Sequence, residues 1–430
     1  MTDSLTDRDY RDTLFLPATE FPMRGGLPKR EPDWIKRWDE LNLYEKLRAD
    51  AKARGAKPWI LHDGPPYANG HIHLGTAMNK IVKDIIVRSH QMTGHDASYL
   101  PGWDCHGLPI EWKVEEEFRS KGKTKDDVAP GDFRAACRAY AGKWVDVQKA
   151  EFRNLGIEGE WDNPYLTMKF ESEASIVGEF LRMAIGGTLV RGAKPIMWSP
   201  VERTALAEAE VEYHDRKVPV IWVKFGIPSR DDGAQLVIWT TTPWTIPANQ
   251  AVSYSTGISY GLYEVETVMS EEELGFPPYA ATGDKLILAD KLAKDVLDAA
   301  KVTGFKRIED VDPATLGSLT HPLAGLDAFF QHEVPLLAGD HVTDDAGTGF
   351  VHTAPAHGED DFNVWIASGR KASEIRDIVN PDGAYQHPEL PDALQGLDII
   401  RTSGKKRGEP GKANPEVIKL LAESGNLLAR

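Results

Sequence analysis

At 430 residues, with 41% hydrophobic and 27% charged residues, the chain has room for about three domains and the make-up of an ordinary globular protein. A net charge of −16 argues against general affinity for nucleic acid, although a local basic patch can still serve such a partner. The polar, acidic start MTDSLTDRDY is no signal peptide, and no apolar run approaches the roughly 20 residues a bilayer needs, so no membrane partner is expected. The two cysteines, Cys105 and Cys137, fit a reducing cytosol and exclude a four-cysteine zinc site, and the expected location is cytoplasmic.

Residues 32–54 set Trp34, Ile35, Trp38, Leu41 and Leu43 at helical spacing. Trp59-Ile60-Leu61 then reads as a strand running into HDGPPYANGHIHLGT (62–76), which holds a rigid Gly-Pro-Pro turn, Asn69-Gly70 and the pair His71 and His73. An amphipathic helix leaves this loop over 77–90, with Ala77, Ile81 and Ile85 on one face, Val82 and Ile86 beside them, and Asp84 and Arg88 spaced to pair. A strand, a tight loop and a helix with imidazole in its first turn make a cradle for a phosphate chain. Unpaired backbone N–H groups and the helix dipole favour anions there, and histidine adds a donor that can carry charge near neutral pH.

Charge-rich helices follow over 111–157, giving this part the texture of the opening half of a doubly wound α/β domain. From about residue 196 short β-rich runs (VPVIWVKFGI, QLVIWTTT, KLILA) alternate with glycine and proline, which predicts a mostly β domain with some helices. A helical pattern, PEVIKLLAESGNLLA, returns after residue 395. Lys80, Lys83 and Arg88 on one helix, and Lys405-Lys406-Arg407, are the candidate basic patches; solvated surface charge is the competing reading.

The stretch 62–76 resembles the first signature of class I aminoacyl-tRNA synthetases, usually His-Ile-Gly-His. PGWDCHGLPIE (101–111) is similar to the isoleucine-specific branch. So are residues 13–38 (TLFLPATEFPMRGGLPKREPDWIKRW), KPIMWSPVERTALAEAEVEY, IWTTTPWTIPAN and GTGFVHTAPAHGEDDF, in the family's order. The chain thus resembles bacterial isoleucyl-tRNA synthetases nearly end to end. The resemblance implies an α/β fold: the first half of a class I doubly wound (Rossmann-type) nucleotide-binding domain with an inserted, mainly β editing domain. Residues 1–195 would be an N-terminal appendage and that first half, 196–395 the editing domain, and 396–430 a return into the nucleotide-binding domain. It implies ATP-dependent activation of isoleucine, transfer to tRNA-Ile and hydrolytic editing of valyl-tRNA-Ile. ATP with Mg2+, isoleucine and tRNA-Ile are the implied partners, with no zinc site in this chain and a monomeric full-length enzyme. The second signature, Lys-Met-Ser-Lys-Ser, does not occur in these 430 residues, so the chain reads as an N-terminal portion, less than half of the usual enzyme.

In the activation step an amino-acid carboxylate attacks the α-phosphate of ATP, and the protein mainly positions reactants and neutralises phosphate charge. By family match His73 donates to the phosphate oxygens, while Asn69, Gly70 and Gly75 let backbone approach the nucleotide. Gly64 and Pro65 line the amino-acid site, and Asp104 holds the α-ammonium. Thr76 stands where the family usually has its second histidine; its hydroxyl can donate a hydrogen bond but cannot become a cation. His71 fills a variable position and is given no role. Because one methylene in an apolar pocket is worth only about 1–3 kcal/mol, valine must be rejected by a second sieve. Thr240, Thr241, Thr242 and Thr245 are matched to the terminal adenosine and the attacking water, and Asn249 closes that segment. Asp361 is matched to the substrate ammonium and His352 to the pocket that rejects isoleucine.

Without the resemblance each motif has a plainer reading: a capping His73, an Asp104 that braces its own turn, a threonine-rich strand ended by proline, and a polar turn near 352–361. Rival functions are a freestanding aminoacyl-tRNA deacylase, an inactive remnant, or one piece of a split enzyme. A metal-dependent hydrolase built on His71, His73, His352, His357, Asp360 and Asp361 is the other rival.

Overall fold

The computed structural model describes residues 9–15, 19–20 and 25–430, so residues 1–8 and parts of the 13–38 segment lie outside the described residues. The chain divides into two units, Met1–Val190 and Arg191–Arg430, the boundary falling just before the expected 195/196.

In the first unit α1 (Leu27–Glu40) and α2 (Leu43–Ala53) are separated at Asn42, which adopts φ +48. There follow β1 (Pro58–Ile60), α3 (Leu74–Met92), β2 (Asp96–Ser98), β3 (Gly102–Trp103), α4 (Leu108–Ser120), α5 (Pro130–Asn154), β4 (Tyr165–Leu166) and α6 (Phe170–Ile185). β1 and β2 pair in parallel, Trp59 opposite Ala97, so β1–α3–β2 is a β–α–β crossover; β3 and β4 form a second parallel pair. The core gathers Val87, Tyr99, Trp103, Ile110, Ala141, Val145, Phe152 and Trp161. At its centre the Trp103 indole N–H donates to Gln148 Oε1 (3.0 Å) on α5, and the Gln148 amide donates to the carbonyls of Tyr67 (3.1 Å) and Gly70 (2.8 Å). One buried glutamine therefore ties α5 to the signature loop.

The helix predicted over 77–90 is present, but its buried side is not the predicted one. Val87 and Lys80 are buried, whereas Ile81, Val82, Ile85 and Ile86 are exposed. The cause is electrostatic. Asp63, 7% exposed at the exit of β1, takes the ammonium groups of both Lys80 and Lys83 and the Tyr99 hydroxyl (2.8 Å), so α3 turns its lysines inward. Arg88 pairs with Asp84 as its spacing predicts, and also with Glu158. Lys80, Lys83 and Arg88 are thus consumed by carboxylates and do not form the basic patch anticipated from sequence.

The second unit contains β5 (Trp198–Ser199), β6 (Thr204–Ala205), β7 (Ile221–Gly226), β8 (Gln235–Thr240), β9 (Ala251–Tyr254), β10 (Tyr260–Val268), α7 (Glu271–Leu274), β11 (Lys285–Ala289) and α8 (Ala293–Ala299). Then come β12 (Val302–Val311), β13 (Ser318–Thr320), β14 (Glu333–Ala338), β15 (Phe350–Thr353), α9 (Glu359–Ala367), α10 (Ala413–Glu423) and β16 (Leu427–Ala429). The strands pair in the order β12-β10-β11-β8-β15-β9-β14-β13-β7-β16, and a further β7–β8 pairing closes β7, β8, β15, β9, β14 and β13 into a barrel. Closure removes open edges from these six strands. Ile221, Val223, Phe225, Leu236, Ile238, Ile246, Val252 and Phe350 belong to the core of this unit.

The end of the chain joins this core rather than leaving it. Ala413, Val417 and Leu421 of α10 pack in the same cluster, and Leu427 of β16 pairs with Val223 of β7. The expected return of 396–430 to the first domain is corrected accordingly: β13 meets β7 only at Gly226, and the part of that side left at Trp222 and Val223 pairs with β16. Among the described residues no helix is long and apolar enough to cross a membrane.

Candidate functional site

The loop between β1 and α3 is pinned from several sides. Asn69 donates through Nδ2 to the Pro109 carbonyl (3.1 Å) and accepts from the Tyr140 hydroxyl (2.8 Å). Gly70 adopts φ +84, a turn conformation that favours glycine. His71, given no role from sequence, pairs with Glu151 on α5, which also accepts from the Ile72 N–H (3.0 Å). Burial alone would raise Glu151, but the Ile72 N–H and the His71 ring prevail and hold it below the usual carboxylate range.

His73 is exposed and is the N-cap of α3: its Nδ1 accepts from the Gly75 (3.1 Å) and Thr76 (3.3 Å) N–H groups. The anticipated unpaired N–H groups at this helix start are therefore already taken at Gly75 and Thr76. A Cβ on Gly75 would lie 2.9 Å from His73 Cε1, so glycine is what lets the ring fold over the helix end. With Nδ1 accepting, the neutral ring carries its proton on Nε2, available to donate outward. The capping and donating readings of His73 are compatible in one tautomer.

Asp104 is brought to this loop by backbone bonds, its N–H donating to the Pro66 carbonyl (2.9 Å) and its carbonyl accepting from Ala68 N–H (2.9 Å). Its carboxylate makes no hydrogen bond among the described residues, and burial raises it above the usual range against an opposing pull from His106. Pro65 packs against Gly102, next to Asp104, and Gly64 is exposed at the loop entrance. The buried Asp63–Lys80–Lys83–Tyr99 cluster escaped sequence reasoning because Asp63 and Lys80 lie 17 positions apart, a spacing that signals nothing.

In the second unit one cavity of about 440 Å³ is lined by Thr240, Thr241, Thr242, Thr245, His352 and Asp361, together with Trp239, His341 and His357. Thr240 ends β8, a 3-10 turn Pro243–Ala248 carries Thr245, β15 carries His352, and Asp361 sits in the first turn of α9. Gly349 at the entry to β15 has φ +81, and a Cβ there would fall 2.4 Å from the Ala289 Cβ, so glycine lets the two strands close.

Asn249 lies behind the wall, fully buried, and sets the direction of a hydrogen-bond relay. Its Nδ2 donates to the Ala251 carbonyl (2.8 Å) and to His352 Nδ1 (2.6 Å). That leaves the proton on His352 Nε2, which donates to Thr245 Oγ1 (2.9 Å), and the Thr245 hydroxyl donates to the Thr242 carbonyl (2.8 Å). Burial, aided by His357, pushes His352 down to about 3, so the ring stays neutral and its orientation fixed. The Asp361 carboxylate accepts from the Ala354 N–H (2.8 Å) and is raised by burial above its usual range, against the pull of that N–H and of His341. An enclosed, nearly unpartnered carboxylate beside a row of hydroxyls is suited to an ammonium group next to a hydrolysable ester. Sequence reasoning missed His341, which sits in a loop with no motif. It named His357 only as a metal ligand; no group of three or more His, Cys, Asp or Glu able to hold a metal forms among the described residues.

Residues 33–313 match the family model of class I tRNA synthetases (I, L, M and V). The chain is 57% identical over 434 residues to an isoleucine–tRNA ligase of Caulobacter vibrioides, covering 100% of this chain and 44% of the relative. It is 52% identical over 448 residues to one of Agrobacterium fabrum, again covering 100% of this chain and 44% of the relative. The chain thus spans less than half the length of these relatives. Among solved structures, a ternary LeuRS–tRNA–LeuAMS complex of Agrobacterium radiobacter K84 aligns over 81% of this chain and 45% of its own, at 18% identity and a TM-score of 0.35.

Proposed function

This chain belongs to the class I tRNA synthetases, and from that premise we propose that it is the N-terminal portion of an isoleucine-specific enzyme of the cytoplasm. It carries part of the site that activates isoleucine with ATP and a hydrolytic site for valyl-tRNA-Ile. The first unit supplies the opening half of the doubly wound nucleotide-binding domain. There His73 Nε2–H donates to the phosphate chain, and the loop held by Asn69 and Gly70, with Gly75 behind it, lies along the nucleotide. Gly64, Pro65 and Asp104 receive isoleucine, the free Asp104 carboxylate taking its ammonium. The nearby carboxylates Asp63 and Glu151 are committed to Lys80, Lys83 and His71. Magnesium arriving with ATP would neutralise charge on the phosphate oxygens.

The second unit hydrolyses the mischarged ester. The observation that carries this reading is the convergence of the four threonines, His352 and Asp361 on one cavity, from segments more than 100 residues apart. Asp361 takes the ammonium of the aminoacyl group, and Thr240, Thr241, Thr242 and Thr245 hold the terminal ribose and the water. The wall fixed by Asn249 and His352 limits the side chain to the size of valine.

The 430-residue chain is expected to hydrolyse valyl-tRNA-Ile faster than isoleucyl-tRNA-Ile, and to give no useful isoleucine-dependent ATP–pyrophosphate exchange. An inert chain in the first assay defeats the hydrolytic reading; robust exchange in a highly purified sample defeats the partial-site reading.

A further inference from the structure

Several groups line the hydrolytic cavity, yet most have their proton-transfer capacity spent. Both ring nitrogens of His352 are committed, Nδ1 accepting from Asn249 and Nε2 donating to Thr245. Asp361 is engaged with Ala354 N–H and, on the hydrolytic reading, with the substrate ammonium. Threonine hydroxyls do not accept a proton near neutral pH.

His341 and His357 differ, the Nε2 of each being buried with no hydrogen-bond partner among the described residues on a residue that lines the same cavity, and of the two it is His357 whose ring has a fixed aromatic neighbour. Its ring packs edge-on against Trp244 (centroids 5.0 Å apart), and its own N–H donates to the Ala354 carbonyl (2.9 Å). Trp244 is itself fixed, its N–H donating to Asn414 Oδ1 (2.9 Å) and its carbonyl accepting from the Tyr385 hydroxyl. The imidazole is thus held on a rigid surface with neither ring nitrogen hydrogen-bonded to a described residue.

Resting on the hydrolytic reading, we propose that His357 is a further catalytic residue of this cavity, its imidazole accepting a proton from the water that attacks the aminoacyl ester. The water oxygen bonds to the ester carbon as one of its protons passes to the imidazole and the carbonyl electron pair moves onto oxygen. That pair then returns, the bond to the ribose oxygen breaks, and the leaving oxygen takes the proton back from the imidazolium. The products are the free amino acid and a tRNA with an intact terminal hydroxyl, and the ring ends neutral. Burial keeps His357 unprotonated at rest, while the Asp377 charge favours the cation once formed.

The test uses the 430-residue chain on valyl-tRNA-Ile. His357→Ala and His357→Gln are expected to lower kcat by about 100-fold, a usual contribution of general-base catalysis, with KM nearly unchanged. Glutamine keeps a polar side chain against Trp244 but cannot shuttle the proton. Added imidazole is expected to restore part of the rate to His357→Ala, which a purely structural role would not allow. Full activity in either variant, or a loss that imidazole leaves untouched, overturns the assignment while the hydrolytic reading stands. No hydrolysis by the unsubstituted chain overturns both.

Discussion

Among the described residues the Asp361 carboxylate has one hydrogen bond, and burial pushes it toward its neutral form, so the fold gains little from its charge. Its value lies in what it offers an incoming cation. Replacement by alanine is accordingly expected to abolish hydrolysis of valyl-tRNA-Ile while leaving the thermal unfolding midpoint within a few degrees. Unchanged hydrolysis in that variant removes Asp361 from the site. His352 contrasts with it, because both ring nitrogens are bound and the ring is neutral by burial; it shapes the cavity and has no proton to trade.

At the scale of elements, α3 is held by charge where its sequence promised an apolar face. Asp63 and Lys80 are both nearly buried, and removing one partner leaves the other uncompensated at a cost of about 3–5 kcal/mol. Asp63→Ala is therefore expected to lower the stability of the first unit by that amount in urea unfolding. Adding Lys80→Met is expected to recover most of it, since the stranded charge is gone. Equal stabilities of the single and double variants would show that Lys80 escapes to solvent and carries no such penalty. The same helix marks what sequence could and could not tell. Period and caps are local, so a helix over 77–90 was legible. Which side it buries depended on a carboxylate 17 positions away, which periodicity cannot see. The threonine run and the 352–361 segment were joined only through the family resemblance, since alone each reads as a strand end or a polar turn. The helix after 395 was legible too, but the core it joins was not. That turns on Leu427 finding the edge of β7, a contact some 200 residues away that no window covers. His357 was visible within its motif, but its unpaired nitrogen was not, because that is a property of packing and not of spacing.

At the scale of the whole molecule, the two units answer acid differently. His321 and His352 are buried in the second unit, each pushed down to about 3 chiefly by desolvation. Unfolded, each ring takes up a proton below about pH 6.5. Folded, it does so only near pH 3. The unfolded state thus binds more protons between these values, and stability falls as the pH drops, by about 1.4 kcal/mol per pH unit for each ring. His332 and His357, also lowered by burial, act in the same sense. Asp361 opposes them, since its raised value lets the folded state bind a proton first, but it is one group against four. In the first unit the chief buried pair is Asp63 with its lysines. Asp63 is held below the usual carboxylate range by Lys80 and Lys83, which outweigh its desolvation, so its contribution is intact at mild acidity and is lost only as the pH falls below about 4. Acidification from about pH 7 to about pH 5 should therefore lower the urea midpoint of residues 191–430 markedly and that of the first unit far less. Hydrogen exchange of the β7–β8 and α3 amides in the same sample separates the two. Equal sensitivity of both sets would mean that the buried histidines of the barrel are protonated in the folded protein, and the relay from Asn249 through His352 to Thr245 would then run with a different proton count.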